Sequence, residues 1–181
     1  MSAITVYRED NPQQPLLQSE QGDEIAAALN GIGVRFERWQ ADREITPGMD
    51  PDEIMAAYDA EIRRLKESEG YVTVDVVSMT ADHPQKDEFR QKFLSEHTHS
   101  EDEVRFFVDG EGMFYLHSEG KVYQVLCSRN DLISVPANTT HWFDMGPEPR
   151  FTAIRLFNNP EGWVANFTGN DIAERFPKFD A

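Results

Sequence analysis

The second half of the chain carries short apolar segments at regular intervals, with turn-forming residues between them. Six segments after Thr98 are predicted as strands, at residues 103–108, 112–117, 121–127, 132–135, 140–145 and 151–157. Short strands at this spacing are typical of an antiparallel barrel or sandwich. The sequence therefore predicts a mainly β fold centred on this half of the chain.

The first half of the chain mixes predicted helices and strands. The run DPDE at residues 50–53 combines an N-cap residue, a proline and a capping glutamate, and apolar residues recur at helical spacing over 54–65. Residues 71–79 are rich in β-branched residues and are predicted as a strand, and residues 86–94 are predicted as a short helix. We expect these helices to flank the barrel.

A length of 181 residues is enough for one sizeable hydrophobic core and short for two independent ones. We therefore expect a single domain over residues 1–181. Residues 1–96 would pack on the barrel, residues 97–157 would form its metal-binding core, and residues 158–181 would be a C-terminal tail. A monomer is the expected state.

The balance of charges excludes one class of partner. Seventeen basic and 33 acidic residues give a formal net charge of -16, which repels nucleic acid. The sequence holds no apolar run long enough to cross a bilayer, and we expect no secretion signal and no membrane partner. Cys127 is the only cysteine, which is consistent with the reducing cytoplasm that we expect as its location.

The strand predicted at residues 103–108 has two different faces. Its odd positions carry Glu103, Arg105 and Phe107, and its even positions are all apolar. Successive side chains of a strand point to opposite faces. We expect the flanking helices to cover the even face, so that the odd face, with its charged residues, lines the barrel interior.

Histidines cluster at the start of this region in a spacing that favours a shared metal ion. His97 and His99 are two residues apart, so an extended chain directs both imidazoles to one side. Glu101 and Glu103 have the same parity, and spacing alone does not choose between them. His141, at the start of another predicted strand, could come from a neighbouring strand. The simpler alternative for each side chain is a structural or surface role, which we assign to His83 and His117.

Three imidazoles and one carboxylate around a divalent ion leave a net charge near +1 and two open positions in octahedral geometry. A bidentate anion fits those positions. Arg105 shares the inward face with Glu103, and its permanent charge would favour an enolate over the neutral form. The alternative for Arg105 is a structural ion pair.

These residues resemble the cupin family. The pattern H-x-H-x3-E-x6-G beginning at His97 matches the first cupin motif and selects Glu103 as the carboxylate ligand. The pattern P-x-N-x2-H ending at His141 resembles the second motif, with departures. Asn130 and Asn138 stand where glycine is usual and Met145 where asparagine is common. Asparagine tolerates a left-handed backbone, so both turns remain feasible. The implied fold is a cupin (jelly-roll) β-barrel.

A narrower resemblance covers nearly the whole chain. The segments GVRFERWQAD, DHPQKDEFRQKFLSEHTHSEDEVRFFV, NDLISVPANTTHWFDMG and FTAIRLFNNPEGWVANFTG look like those of the bacterial acireductone dioxygenase family. The resemblance implies one Fe(2+) or Ni(2+) ion per monomer, bound by His97, His99, Glu103 and His141. It also implies that Arg105 forms the substrate dianion, Glu96 acts in metal acquisition and Asp102 relays conformational change.

The resemblance implies an oxidoreductase of methionine salvage that acts on acireductone and O2. The iron form would give a 2-keto acid and formate, and the nickel form a shorter acid, formate and carbon monoxide. Phe107, Phe143 and Trp163 would either contact the methylthio tail of the substrate or belong to the core. The competing hypotheses are another cupin dioxygenase or decarboxylase, and a metal-binding cupin without catalysis.

Overall fold

The computed structural model describes residues 2–39, 43–46, 49–158 and 164–179. The strands are β1 (Ala3–Arg8), β2 (Asn11–Ser19), β3 (Arg35–Arg38), β4 (Thr73–Met79), β5 (His97–Thr98), β6 (Glu103–Ser118), β7 (Lys121–Ser128), β8 (Asp131–Val135), β9 (Thr140–Asp144), β10 (Arg150–Phe157) and β11 (Asn166–Phe167). The helices are α1 (Gly22–Asn30), α2 (Pro51–Ala57), α3 (Asp59–Glu69) and α4 (Lys86–Leu94), followed by a 3-10 helix at Ile172–Arg175. The prediction of a mainly β fold with flanking helices is confirmed.

Strand β6 organises the jelly roll because its two halves have different partners. Its first half pairs with β8 and β10, and its second half pairs with β7 and β9, all antiparallel. Side chains from both sets of strands meet in one buried cluster, which includes Phe107, Phe114, Ile133, Phe143 and Phe151. The two sets of strands therefore face each other across a common core, as expected of the predicted cupin fold.

The segments predicted as two strands at 103–108 and 112–117 form the single strand β6. The chain does not turn back between them, because pairing with β10 runs through Gly110, where a positive φ of 70° lets the strand bend. Next to the bend, the pairing with β10 shifts register between Thr152 and Ala153. A glycine and a β-bulge are common means of bending a strand between two packed layers.

Replacing Gly110 with alanine should destabilise the fold strongly. A Cβ atom there would lie 2.0 Å from the backbone oxygen of Arg150 and 2.8 Å from the Cα of Phe151, and neither backbone atom can move aside alone. We expect a loss of about 2–4 kcal/mol in the free energy of unfolding, measured by urea denaturation. The matched control is Gly120→Ala, where φ is also positive at 75° but nothing lies within 4 Å of the added carbon. The control should lose only about 1–2 kcal/mol, and equal losses would contradict the collision.

The helical region predicted from residue 50 is two helices. The start is as predicted, since Pro51 opens α2 and the side chain of Asp50 accepts a hydrogen bond from the Asp52 amide at 2.8 Å. The expected continuation to Leu65 is interrupted at Tyr58, which is fully buried and has a non-helical φ of -112°. Its ring packs edge-on against Phe106 at 5.4 Å. Packing of this side chain accounts for the break in an otherwise periodic segment.

The predicted assignment of the two faces of β6 is confirmed. The even positions Val104, Phe106 and Val108 are buried in a cluster with residues of α2 and α3, among them Ile54 and Leu65. The odd positions therefore point to the other side, into the space between the two sets of strands. No helix in the described ranges combines the length and hydropathy of a membrane span.

Candidate metal centre

Three histidines come together where β5, β6 and β9 meet. In the antiparallel pair of β5 and β9, His97 lies directly opposite His141. His99 follows β5 by one residue. The imidazole centroids are 4.9 Å apart for His97 and His99, 4.6 Å for His97 and His141, and 5.2 Å for His99 and His141. One ring nitrogen from each lies within 4.8 Å of the other two, and all three residues are buried.

Backbone carbonyls fix the orientation of all three rings. The Nδ1 atom of His97 lies 2.7 Å from Ser95 O, that of His99 lies 3.2 Å from Val164 O, and that of His141 lies 2.8 Å from Thr139 O. A carbonyl only accepts, so each Nδ1 carries the proton and donates. Each Nε2 is then left with its lone pair for a ligand, an arrangement common among metal-binding histidines.

Glu103 completes the cluster, and Glu101 does not. The Oε2 atom of Glu103 is 2.8 Å from His141 Nε2 and 3.4 Å from His99 Nε2. Two acceptors thus face His141, one at each ring nitrogen, and either a proton on Nε2 or a metal ion shared by Nε2 and the carboxylate would satisfy this contact. Glu103 is 3% exposed, whereas Glu101 is half-buried. The donor set of the four residues therefore fits a divalent ion.

Burial and charge keep these groups in the protonation states that bind metals. Burial, followed by the nearby His141, lowers the pKa of His97 to about 4, and burial lowers the pKa of His99. Burial alone would raise the pKa of Glu103, but Arg105 and His141 hold it well below its ordinary value. Neutral imidazoles beside an ionised carboxylate are the forms that coordinate cations.

The turn before β9 is tied to the segment that carries the other histidines. The amide of Asn138 donates to His99 O at 2.8 Å, and Asp102 Oδ1 accepts from the Ala137 amide at 2.9 Å. Asn138 has a φ of 66° and Asn130 has a φ of 90°, so both occupy the left-handed region, as their positions in the motif required. Asp102 is exposed and lies outside the histidine cluster.

Arg105 lies beside the cluster without being part of it. Its Nε is 2.8 Å from Glu103 Oε1, and its guanidinium carbon lies over the rings of Phe143 at 5.2 Å and Phe114 at 5.5 Å. Directly across the ladder on β10 is Arg155, held by both carboxylate oxygens of Asp75 at 2.8 and 2.6 Å. The two arginines therefore occupy adjacent ladder positions on the same side of the sheet.

A cavity of about 740 Å³ opens onto the centre, and Arg105 and Arg155 both line it. Most of its other walls are apolar, formed by Val77, Met79, Phe89, Phe93, Phe143, Phe151, Val164, Ala165 and Phe167. Of the three aromatic residues expected at the substrate, Phe143 lines the cavity. Phe107 is fully buried against Phe114 and Phe151 in the core. Trp163 lies outside the described residues.

Helix α4 contributes Phe89 and Phe93 to this cavity, and neither was predicted from the sequence as a site residue. Their spacing of four residues places them on one face of a helix. The helix ends at Leu94, three residues before His97, so this aromatic pair next to a candidate metal-binding histidine was the sequence signal that pointed to them. Bidentate hydrogen bonds at 2.8 and 3.1 Å join Arg90 of α4 to Asp144 of β9.

Glu96 points away from the histidine cluster. It is 3% exposed, and its carboxylate contacts His117 and Thr168 on the opposite side of β5 from His97. His117, assigned only a structural role from the sequence, lies between Glu96 and Glu9. Burial would lower the pKa of His117, but these two carboxylates raise it above its ordinary value.

Comparison with known proteins identifies the family. The model of the ARD/ARD' family matches residues 3–165, which is most of the chain. The chain belongs to this family. Acireductone dioxygenase of Pseudomonas aeruginosa strain UCBPP-PA14 is 63% identical over 177 residues, covering 98% of each chain. Acireductone dioxygenase of Hahella chejuensis is 61% identical over 180 residues, covering 99% of this chain and 97% of the relative.

A solved structure has the same fold. Acireductone dioxygenase from Bacillus anthracis, with a cadmium ion in its active centre, superposes with a TM-score of 0.79 at 31% identity. The match covers 92% of this chain and 98% of that one. The buried histidine triad and the cadmium-bound relative both support metal dependence in this member of the ARD/ARD' family.

Proposed function

We propose that the chain is an acireductone dioxygenase that uses His97, His99, Glu103 and His141 to bind one divalent ion. The observation that carries the proposal is the buried cluster of three imidazoles and a carboxylate, with Arg105 against that carboxylate, at the end of an apolar cavity. The substrate is 1,2-dihydroxy-3-keto-5-methylthiopentene, which reacts with O2. The single-domain, monomeric and cytoplasmic organisation expected from the sequence belongs to this proposal.

The carboxylate and the three imidazoles contribute differently to binding of the ion. Bound there, a divalent ion supplies a Lewis acid and a template for a bidentate anion. Glu103 contributes the one negative charge, and the histidines contribute neutral nitrogens whose direction the backbone carbonyls fix. Imidazole-rich ligation suits both iron and nickel. We propose Fe(2+) or Ni(2+) as the resident ion.

Arg105 favours the ionised substrate. Its guanidinium is buried, and a buried permanent charge stabilises an adjacent enolate much more than it would in water. The Nε atom of Arg105 lies 2.8 Å from Oε1 of Glu103, and this ion pair orients the arginine side chain. Arg155 adds a second positive charge to the same cavity wall. These cations explain how a chain of net charge -16 can accept an anion.

The apolar walls of the cavity suit the methylthio tail. Phe93 and Phe143 are in edge contact at 6.4 Å, and Phe89 stacks beside Phe93 at 6.3 Å, so the rings lead outward from Arg105. A thioether packs favourably against such ring edges. With the tail against these rings, the oxygen-bearing end of the substrate faces Arg105 and the histidine cluster. The rings also exclude water from that end.

Oxygen uptake and product analysis test this function. The protein is stripped of metal, reloaded separately with Fe(2+) and Ni(2+), and mixed with synthetic acireductone under air. The iron form should give 2-keto-4-methylthiobutyrate and formate, and the nickel form should give 3-methylthiopropionate, formate and carbon monoxide. The chelated protein is the control. Absence of oxygen uptake above that control in both loaded forms would contradict the proposal and favour a non-catalytic metal-binding role.

A further inference from the structure

His97 lies on a strand that is too short to hold it firmly. Strand β5 has two residues, pairs with β9 at one position and pairs with β11 at two. Strands in globular proteins usually have at least three residues, and each ladder bond adds only modest stability. The position of His97 therefore depends on contacts outside the ladder.

Glu96, immediately before His97, provides those contacts. Its Oε1 accepts a hydrogen bond from Thr168 Oγ1 at 2.8 Å, and its backbone oxygen accepts from the Thr168 amide at 3.1 Å. Its Oε2 accepts from His117 Nδ1 at 2.6 Å. The start of β5 is thus attached to β6 on one side and to the segment after β11 on the other. A buried carboxylate needs such donors, because an unpaired one is costly.

His117 is the ionic part of this attachment. Its other ring nitrogen, Nε2, lies 2.7 Å from Oε2 of Glu9 in the turn between β1 and β2. A carboxylate only accepts, so both ring nitrogens donate and the ring is an imidazolium. Hydrogen bonds between ionised partners are about twice as strong as neutral ones. The inner bond to Glu96 is shielded from water, whereas the Glu9 side chain is 50% exposed.

We propose that His117 is a positioning residue of the metal centre, which fixes Glu96 and thereby the backbone that aims His97 at the ion. The segment 95–97 carries His97 itself and also the carbonyl that orients its ring, because Ser95 O accepts a hydrogen bond from Nδ1 of His97 at 2.7 Å. A shift of Glu96 would move both the ligand and the carbonyl that orients it. The inference rests on the metal site of the proposed function and not on the reaction.

The test measures how fast Ni(2+) leaves the loaded protein in excess chromophoric chelator. His117→Leu should release the ion about tenfold faster than the unmodified protein, which is the usual scale for outer partners of a metal site. Thr168→Val removes the other side-chain donor to Glu96 and should change the rate in the same direction. Glu9→Gln alters only the exposed pair and should change it less than about twofold.

The matched control is Asp109→Asn, which removes an ion pair of β6 with Arg150 at 3.4 Å, away from β5. It should release the ion at the unmodified rate. The conservative variant His117→Gln keeps an amide NH2 group that can donate to Glu96, so its release rate should lie between those of His117→Leu and the unmodified protein. The absorption bands of the Co(2+)-loaded protein provide a second readout, because they change when a ligand moves and not when the fold is merely less stable.

A folded His117→Leu protein with unmodified release rate and Co(2+) spectrum would overturn the inference. Equal acceleration by Asp109→Asn would also overturn it. Should His117→Leu fail to fold, Thr168→Val decides by the same two readouts. An unmodified protein that binds metal without consuming oxygen would contradict the proposed reaction alone, and one that binds no metal would overturn both.

Discussion

Replacing His141 with alanine is expected to remove both the metal and the oxygen uptake. His141 is 2% exposed, it lies opposite His97 in the ladder, and its Nε2 is 2.8 Å from Glu103. Losing a direct ligand should weaken metal binding by more than about a hundredfold, since loss of an outer partner alone costs up to that much. Metal content by elemental analysis and oxygen uptake should fall together.

The two acidic residues of matching parity provide the control for this prediction. Glu103→Gln keeps the size of the side chain and removes its charge, so metal content should fall as it does for the histidine variant. Glu101→Gln makes the same chemical change two residues earlier, at a half-buried position, and should leave metal content and turnover unchanged. Full activity in His141→Ala, or a loss in Glu101→Gln equal to that in Glu103→Gln, would contradict the assigned ligands.

Replacing Arg105 with alanine is expected to slow turnover without emptying the metal site. A guanidinium does not coordinate a cation, but it stabilises an enolate, and the structure holds it beside Glu103 and Phe143. Loss of one charge-assisted contact to a developing anion costs about 2.7–4 kcal/mol of barrier, or roughly a hundredfold to a thousandfold in rate. Turnover and bound metal should be measured with iron and with nickel, and both forms should slow alike.

The control for Arg105 is Arg150→Ala, which removes an exposed arginine on β10 that pairs with Asp109. It should leave turnover unchanged. Arg105→Lys retains a positive charge but loses the planar guanidinium, so its turnover should lie between those of Arg105→Ala and the unmodified protein. Normal turnover in Arg105→Ala would make Arg105 a structural ion-pair partner of Glu103, and loss of metal would mean that it helps to build the site.

The parity of side chains explains why much of the candidate site could be predicted. Alternation along β6 was sufficient to separate Glu103 and Arg105 from the apolar face that α2 and α3 cover. The same rule placed His97 and His99 on one side of the chain. Alternation alone could not distinguish Glu101 from Glu103, because the distinction depends on the residue at which β6 begins. The resemblance to the cupin motif indicated Glu103.

Features that depend on tertiary contacts could not be predicted in the same way. Gly110 has the sequence signal of a turn, and only the ladder with β10, which runs through it from Val104 to Glu111, shows that the strand continues. The break at Tyr58 comes from packing against Phe106, which is distant in sequence. His117 gives no sequence signal, since its partners Glu9 and Glu96 are 108 and 21 residues away.

Anomalous diffraction from crystals of the nickel-loaded protein would locate the bound ion and its four assigned ligands. We predict one strong peak per chain, at about 2.1 Å from Nε2 of His97, His99 and His141 and from a carboxylate oxygen of Glu103, the distance usual for such ligands to a divalent transition ion. Synthetic acireductone added without oxygen should appear at the same peak, next to Arg105. A peak elsewhere, or one coordinated by Glu101 in place of Glu103, would contradict the assignment of His97, His99, Glu103 and His141 as the ligands.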